Sequence, residues 1–325
     1  MTVAERISSS PASHAKPPPP RQPLRDRLSR WDVKASPYLY IAPFFVVFGI
    51  VGLFPLLYTA YVSLFHWKAG DDNPNFIGLD NYKELFADSQ FWNALENTVS
   101  IFLLSSIPQL IIAMMLAALL GSRLRGATGW RVGVLLPYAA SLVSLGIIFA
   151  NLFGTKYGLV NGVLQTIGLD PVDWQANRFG SHVAIAIMVN WRWTGYNALI
   201  VLAAMQAIPK ELHEAALIDG AGTWRRFFHV TLPLLKPTLV FVTITSTIGG
   251  LQIFTEPKLF DVSGANNGGS THQFQTVTLY LYQSAFENFN LGYASAIAWV
   301  LFVVIVLIAL VNFFLTGRLA AVKKK

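Results

Sequence analysis

Apolar residues along the chain fall into six long runs that are separated by polar segments. Each run is long enough to cross the hydrocarbon of a bilayer as a helix, which takes about 20 residues, and the fifth is near the lower limit. Backbone groups inside lipid must be hydrogen-bonded within the chain, so the runs are expected to be helical. They occupy residues 39–64, 97–120, 132–154, 183–207, 238–255 and 293–316. The pattern predicts an all-α, polytopic membrane protein with about six transmembrane helices.

Two segments lack the pattern of regular secondary structure. Residues 1–36 are polar, contain four consecutive prolines and carry scattered arginines. Such a segment cannot bury enough apolar surface to fold, so a disordered tail is expected there, followed by one transmembrane domain at 37–325. The tail does not have the pattern of a signal peptide, because the apolar run after it is too long and lacks a small-residue cleavage site. Residues 264–274, rich in Gly and Asn, are expected to form a flexible loop.

Composition and charge placement favour a membrane protein with both ends in the cytoplasm. The chain is 54% hydrophobic and 13% charged, about half the charged fraction of soluble domains. It contains no cysteine, which excludes disulfides and thiolate metal sites. The net charge of +7 does not indicate nucleic acid, because 18 of the 24 Lys and Arg residues fall on the side of the N-terminus when the runs alternate. The positive-inside rule makes that side the cytoplasm. The other six are Lys68, Lys83, Lys156, Arg178, Arg192 and Lys258.

A polar segment at residues 208–236 interrupts the apolar pattern and lies on the predicted cytoplasmic side. Pro209 suits the first turn of a helix, because its missing N–H has no intrahelical partner there. Glu211 and Glu214 fall in the early turns, where carboxylates meet the positive end of the helix dipole. Gly220 can adopt the left-handed conformation that ends a helix. The pattern predicts a short helix that stops at this glycine.

A second short helix is expected after the turn. Thr223 can cap a helix that starts at Trp224, and Pro233 is expected to limit it. In the first helix, Ala215 and Ala216 share a face of small side chains. The two helices together form a segment suited to docking into a cleft on another protein.

This segment resembles the EAA loop of binding-protein-dependent ABC importer permeases. That pattern consists of Glu-Ala-Ala, three residues, Gly, nine residues, Ile, one residue and Leu-Pro. Val230 stands where Ile is usual, a conservative departure. The stretches FIGLDNY and LYLYQSAFENFNLGYASAIAWV resemble the carbohydrate-uptake branch, so the resemblance covers nearly everything after residue 37. The matching positions are Glu214, Ala215, Ala216, Gly220, Leu232 and Pro233.

The resemblance implies the transmembrane domain of a type I ABC importer, the first permease of a maltose- or glycerol-phosphate-type pair, in a bacterial-type cell membrane. Its implied partners are a second permease, two ATP-binding subunits and an extracellular or periplasmic sugar-binding protein. It implies ATP and Mg²⁺ on the ATP-binding subunits and no cofactor in this chain. The residues expected to couple to the ATPase are Glu214, Ala215, Ala216, Asp219, Gly220, Leu232 and Pro233.

No residue pattern supports an energy source or a catalytic site in this chain. The phosphate-binding pattern G-x-x-x-x-G-K-[ST] is absent. Five of the six apolar runs carry no Asp, Glu, Lys, Arg or His, whereas ion-coupled carriers usually place ionisable groups there. No acid or base stands with His or Ser in a hydrolytic pattern, and no metal-ligand spacing occurs. We therefore expect a transport subunit, not an enzyme, that is driven by a separate subunit.

The candidate cargo path is centred on the fourth apolar run. Sugars present apolar C–H faces and hydroxyl groups, and their sites combine aromatic surfaces with amide and charged groups. This run and the end of the fifth carry that chemistry, as does the end of the third more weakly. The residues predicted to line the path are Asn190, Trp191, Arg192, Trp193, Asn197, Gln252, Glu256 and Tyr138.

Other interpretations of these residues stay open at the level of sequence. The two tryptophans also fit an interfacial aromatic belt, the amides fit hydrogen bonds between helices, and Arg192 fits a side chain that reaches the interface. A di- or oligosaccharide is the expected cargo, because an anionic cargo would want several cations and only Arg192 is available. The alternatives are the same scaffold importing another solute, such as glycerol-phosphate, and a stand-alone channel or ion-coupled carrier.

Overall fold

The computed structural model describes residues 24–122, 125–262, 264 and 267–321 of the chain. Most of the described residues are helical, as the apolar runs predict. One short antiparallel pair of strands, β1 (Phe65–His66) and β2 (Asn75–Phe76), interrupts the helices. The chain divides into two compact units, Met1–Tyr58 and Thr59–Lys325.

The first unit is helical over its described part. It comprises α1 (Leu24–Val47), a π-helical segment (Phe48–Leu53) and the start of α2 (Phe54–Val62). Helix α1 begins inside the stretch that the sequence assigns to a tail ending at residue 36, so the helix start differs from the predicted boundary. Its first turns are rich in Leu and Arg, which are good helix formers, and the helix runs on into the apolar run. Residues 1–23 lie outside the described residues.

The second unit carries the other helices. The two helices that contain the second and fourth apolar runs pack against each other more extensively than any other pair of described elements. Two π-helical segments, Phe227–Thr231 and Gln283–Glu287, interrupt the α-helical structure of this unit. The helices are α3 (Asp80–Ala87), α4 (Ser89–Leu120), α5 (Ala127–Ala139), α6 (Leu142–Leu152), α7 (Leu159–Thr166), α8 (Arg178–Gln206), α9 (Lys210–Ile218), α10 (Thr223–Arg226), α11 (Leu232–Leu234), α12 (Lys236–Leu251), α13 (Thr255–Phe260), α14 (Val277–Tyr282) and α15 (Leu291–Ala321).

Three helical segments of the described chain are long and apolar enough to cross a membrane. They are Ser36–Val62, Ser89–Leu120 and Leu291–Phe314. The count rises to five if each of two bent helix pairs forms one span. Helix α8 covers the fourth apolar run without a break but does not reach the same apolarity. The helical class is thus confirmed, and the count of six spans stays a prediction.

The two bent pairs bear on boundaries predicted from the sequence. The third apolar run divides into α5 and α6, which meet at 88°. Pro137 lies in the last turn of α5 and cannot donate to the helix ladder, and Ala140 is extended, so α5 ends inside the run. In the other pair, the stretch Thr223–Leu234 meets α12 at 68°. That stretch ends at Leu234, one residue after Pro233, as the predicted limit at this proline expects, but a π-helical segment before the proline interrupts its regular ladder.

The fifth apolar run ends as a helix earlier than predicted. Helix α12 stops at Leu251 instead of residue 255, and a short link leads to α13. The carbonyl oxygen of Ile253 in this link accepts a hydrogen bond of 2.9 Å from the Thr276 hydroxyl. Since a partner outside the helix satisfies this carbonyl, the backbone can leave the helical path at modest cost.

The predicted flexible loop is held by hydrogen bonds at its described residues. The Asp261 carboxylate accepts from the backbone N–H groups of Gly268 and Gly269, at 3.1 and 2.9 Å. The Asn97 side-chain amide, on α4, donates to the carbonyl oxygen of His272 at 2.9 Å. These contacts join the loop to α4, and they involve residues too distant in sequence for composition to reveal.

A carboxylate joins α4 to the two last helices. Asp88 caps α4 by accepting from the backbone N–H of Gln90 at 2.8 Å. It also accepts from the Tyr293 hydroxyl at 2.8 Å and from the Tyr280 hydroxyl. Burial, followed by the hydrogen bond to Asp88, raises the pKa of Tyr280 to about 12, so this phenol stays a neutral donor at physiological pH.

Candidate functional site

The polar segment at 208–236, which we call the coupling segment, forms a helical hairpin. Helix α9 starts directly after Pro209 and carries Glu211 in its first turn. Gly220 has a φ of +74°, which confirms the left-handed turn. The backbone N–H of Gly220 donates to the Leu217 carbonyl at 3.0 Å, and that of Ala221 donates to the Ala216 carbonyl at 2.9 Å. These two bonds are the Schellman pattern that closes a helix at a glycine.

The predicted coupling residues lie at the surface of this hairpin. Glu214, Ala215, Asp219 and Gly220 are exposed. The other three, Ala216 in α9 and Leu232 and Pro233 in α11, are half-buried. Helix α10 begins at Thr223, so Gly222, and not the threonine, occupies the capping position.

The hairpin also exposes large apolar side chains that the motif does not include. Ile218 at the end of α9 is 87% exposed. Trp224 is 77% exposed, and its ring stacks on Phe228 with centroids 6.1 Å apart. These side chains could have been noticed in the sequence, because large apolar residues stand out within a polar segment. Exposed apolar groups of this size, next to an exposed acidic helix, are typical of a surface that another protein covers.

A cavity of about 430 Å³ lies between α8, α12 and the link to α13. Aromatic rings, amides and hydroxyls form much of its wall, including the unpredicted side chains of Ser106 and Tyr196. The structure brings together here six of the eight residues predicted to line the cargo path. They are Tyr138, Arg192, Trp193, Asn197, Gln252 and Glu256.

Asn190 and Trp191 do not line this cavity. They border a separate, mostly apolar groove between α4, α5 and α8. Successive residues of a helix are rotated by about 100° around its axis. Asn190 and Trp191 therefore point to other sides of α8, although they directly precede Arg192 and Trp193. Trp191 is 57% exposed, and the side-chain oxygen of Asn190 is buried without a hydrogen-bond partner in the described structure. The two predictions therefore do not fit this cavity.

Arg192 is held inside the cavity by two rings and one carboxylate. Its guanidinium carbon lies 5.3 Å from the centroid of the Trp193 ring and 5.8 Å from that of Tyr138. One of its terminal nitrogens, Nη1, is 3.5 Å from a Glu256 carboxylate oxygen. Its side chain is 21% exposed, and that of Glu256 is 8% exposed. This geometry favours a role in the cavity over a side chain that reaches out to an interface.

Asn197 belongs to a polar cluster at the cavity wall. Its side-chain amide donates to the Gln109 side-chain oxygen and to the Ser246 hydroxyl, each at 3.1 Å. These bonds join α8 to α4 and α12. They match the alternative interpretation, in which the amides form hydrogen bonds between helices. Sequence reasoning missed Gln109 and Ser246, although a polar residue within an apolar run was a usable signal. The cluster leaves amide and hydroxyl groups beside the aromatic rings, a combination that can bind an uncharged polyhydroxyl molecule.

A comparison with known protein families identifies the family of this chain. A family model described as "Binding-protein-dependent transport system inner membrane component" matches residues 97–322. The chain belongs to this family. It is therefore a membrane component of a transport system that works with a binding protein, and the coupling segment lies within the matched region.

Relatives of this transport component are permeases. The lactose transport system permease protein of Rhizobium radiobacter is 35% identical over 281 residues, covering 85% of this chain and 92% of that protein. The arabinooligosaccharides transport system permease protein of Halalkalibacterium halodurans is 34% identical over 287 residues, covering 87% of this chain and 88% of that protein. The recognised resemblance to carbohydrate importer permeases is confirmed by these matches.

A solved structure shares the fold of this permease. It is a chain of a bacterial alginate ABC transporter, determined in complex with an alginate pentasaccharide-bound periplasmic protein. The TM-score is 0.75 at 22% identity, and the match covers 91% of this chain and 98% of that one. The expected type I ABC importer permease fold is therefore confirmed.

Proposed function

We propose that this chain is one of two membrane-spanning permease subunits of an ATP-driven importer for a di- or oligosaccharide. An extracellular or periplasmic binding protein delivers the sugar, and two ATP-binding subunits carry ATP and Mg²⁺ on the cytoplasmic side. The chain crosses a bacterial-type cell membrane six times, with both termini in the cytoplasm. It contributes no catalysis, since ATP hydrolysis belongs to the partner subunits.

The cavity is the observation that carries the cargo assignment. Its wall combines the rings of Tyr138, Trp193 and Tyr196 with the side-chain amides of Asn197 and Gln252. Rings can stack on the C–H faces of a sugar, and amides can pair with its hydroxyls. A volume of about 430 Å³ is in the range of small-molecule sites. The names of the relatives, lactose and arabinooligosaccharide permeases, support the same class of cargo.

The coupling segment supports the assignment of the motor to another subunit. Glu214 and Ala215 are exposed on α9, and the closed turn at Gly220 keeps the helix short and defined. Motion of a docked ATPase would act on this hairpin. The hairpin is continuous with α12 through a bend of 68°, and α12 lines the cavity, so a physical connection leads from one site to the other.

A pair of tryptophans tests the cargo path. Trp193→Ala removes a ring from the cavity wall, whereas Trp191→Ala removes an identical side chain from a surface outside it. We expect sugar affinity of the purified complex to fall about tenfold for Trp193→Ala, which is about 1.4 kcal/mol, and to stay near wild type for Trp191→Ala. Isothermal titration with the transported sugar measures both. Equal losses in the two variants would contradict the cargo path.

Glu214 tests the coupling segment. Glu214→Ala should reduce co-purification of the ATP-binding subunits and sugar uptake, because a charge-assisted contact is lost. Glu84→Ala is the matched control, an exposed glutamate on α3, which is predicted to lie on the opposite side of the membrane. Unchanged assembly and uptake in Glu214→Ala would remove the coupling role. Uptake into liposomes without ATP or partner subunits would instead identify a stand-alone carrier.

A further inference from the structure

The ion pair in the cavity determines the charge that a cargo meets. Among the described residues that line the cavity, Arg192 and Glu256 are the ones with a basic or acidic side chain. Burial raises the pKa of Glu256, and the Arg192 guanidinium opposes that rise by favouring the carboxylate. They come from α8 and α13, two elements separated along the chain by the coupling segment and α12. The rest of the wall is apolar, aromatic, amide or hydroxyl in character. The net charge facing a cargo is therefore set by whether these two groups balance.

Arg192 keeps hydrogen-bonding capacity that Glu256 does not use. The pair is joined at one atom of each partner, Nη1 and Oε1, at 3.5 Å, a long contact for a charged pair. The Nε atom of Arg192 is buried and has no hydrogen-bond partner in the described structure. The guanidinium also contacts the rings of Trp193 and Tyr138. The side chain as a whole is 21% exposed, so the terminal N–H groups, and not the buried Nε, are the donors that a cargo oxygen can reach without displacing the carboxylate.

Lys258, two residues after Glu256 in α13, does not add a cation to the cavity lining. The Lys258 ammonium lies 3.6 Å from the centroid of the Tyr282 ring and 5.3 Å from that of Phe254. Phe254 lines the cavity, but Lys258 does not. The charge balance inside the cavity thus depends on Arg192 and Glu256 alone among the described lining residues.

A neutral and an anionic cargo respond differently to this pair. A neutral sugar can hydrogen-bond to both groups and leaves their attraction intact. An anionic sugar meets a carboxylate that is 8% exposed, and two like charges in a poorly solvated cavity repel strongly. Without Glu256, the guanidinium would stand uncompensated and would attract an anion, because a buried unpaired charge is costly. Discrimination of this kind arises from a repulsive group as much as from an attractive one.

We propose that Glu256 is a specificity-determining residue that makes the cavity accept neutral sugars and reject sugars bearing a carboxylate. It does so by neutralising Arg192 and by presenting its own negative charge to the cargo. The inference rests on the proposed function, since it assigns a charge class to the cargo of the same cavity.

The test compares three variants of the assembled complex, purified with its second permease and ATP-binding subunits but without the binding protein. Glu256→Gln removes the carboxylate charge at nearly constant volume, Arg192→Gln removes the cation, and the double variant removes both. Binding is measured by calorimetry and tryptophan fluorescence with a panel of neutral disaccharides and trisaccharides. Each neutral sugar that binds the wild type is then compared with its uronic acid counterpart.

In Glu256→Gln the affinity ratio of uronate to neutral sugar should rise about tenfold or more. In Arg192→Gln the ratio should fall, because the carboxylate remains alone. The double variant should lie between the single variants. An unchanged ratio in Glu256→Gln overturns the inference while leaving the sugar path intact.

Two further outcomes are also decisive. If Glu256→Gln fails to assemble, the comparison of Arg192→Gln with the double variant tests the same carboxylate, and an equal uronate-to-neutral ratio in those two overturns the inference. If the wild-type complex binds none of the neutral sugars, the proposed cargo assignment fails, and this inference fails with it.

Discussion

At the scale of single residues, two side chains on α8 show how position decides the role of one residue type. Asn197 donates to Gln109 and Ser246 at the cavity wall. Asn190, on the same helix, has a buried side-chain oxygen without a partner in the described structure. A buried polar group that is hydrogen-bonded contributes to stability, whereas one without partners costs free energy. The two asparagines should therefore respond in opposite ways to replacement.

Replacement of each asparagine by leucine tests this difference. Asn197→Leu removes the donor at 3.1 Å from the amide oxygen of Gln109, which keeps the Ser246 hydroxyl at 3.5 Å, and should lower the free energy of unfolding by about 0.5–1.5 kcal/mol. Asn190→Leu should be neutral or stabilising, because it removes an unsatisfied group from a mostly apolar groove. Thermal unfolding of the purified complex measures both. A lower melting temperature for Asn190→Leu than for Asn197→Leu would contradict the assignment.

Gly220 makes a second residue-scale prediction. At a φ of +74° an alanine side chain has open space around it, so the cost of Gly220→Ala is backbone strain alone, about 1–2 kcal/mol. The amides of Gly220 and Ala221, which close the helix, should then exchange with solvent about tenfold faster. Gly220→Asn is the control, because asparagine tolerates this conformation. Hydrogen exchange by mass spectrometry should show a smaller change for it.

At the scale of elements, the crossing of α5 and α8 depends on a glycine that the sequence motif does not include. A Cβ atom added at Gly195 would lie 1.8 Å from the backbone carbonyl oxygen of Val134. Because that neighbour is backbone, the helices would have to separate. The two helices carry Tyr138, Arg192 and Trp193, so their spacing sets the geometry of the ring pair around the guanidinium.

Gly195→Ala should therefore destabilise the fold by about 1–3 kcal/mol or more. It should also weaken sugar binding, since the walls of the cavity shift. Gly129→Ala in α5 is the matched control, because no atom lies within 4 Å of the added Cβ, and alanine is the better helix former. The melting temperature should fall for the first variant and stay level or rise for the second. Equal effects would show that the crossing tolerates a wider spacing.

At the scale of the whole molecule, the proposed six crossings place two exposed positions on opposite sides of the membrane. Tyr157, between α6 and α7, is 97% exposed, and Trp224 in the coupling segment is 77% exposed. The charge distribution predicts that Tyr157 faces the outside and Trp224 the cytoplasm. Because the chain contains no cysteine, a single introduced thiol can be labelled without background.

A membrane-impermeant maleimide tests this arrangement. Tyr157→Cys should be labelled in intact right-side-out vesicles, whereas Trp224→Cys should be labelled only after the membrane is permeabilised. Once the ATP-binding subunits are bound, labelling of Trp224→Cys should slow further, because the hairpin is covered. Labelling of Trp224→Cys from the outside would place the coupling segment beyond the reach of any cytoplasmic ATPase.

Particular residues show which features of the structure could be predicted from the sequence and which could not. The turn at Gly220 was predictable, because a left-handed helix end depends on one residue and its close neighbours. The break between α5 and α6 was not, although Pro137 was visible, because a proline near a helix end can be accommodated or can end the helix. Trp191 and Trp193 were indistinguishable, because apolar residues on all sides of α8 left its rotation undefined.

The sequence by itself determined the helical class, the family pattern of the coupling segment and the absence of a nucleotide-binding pattern. These features depend on run lengths and on residues close together along the chain. Only the tertiary structure decided that Arg192 meets Glu256 and that Asn197 meets Gln109, pairs that are 64 and 88 positions apart. Such pairs form because packing sets the rotation of α8 against α4, α12 and α13, and no local pattern encodes that rotation.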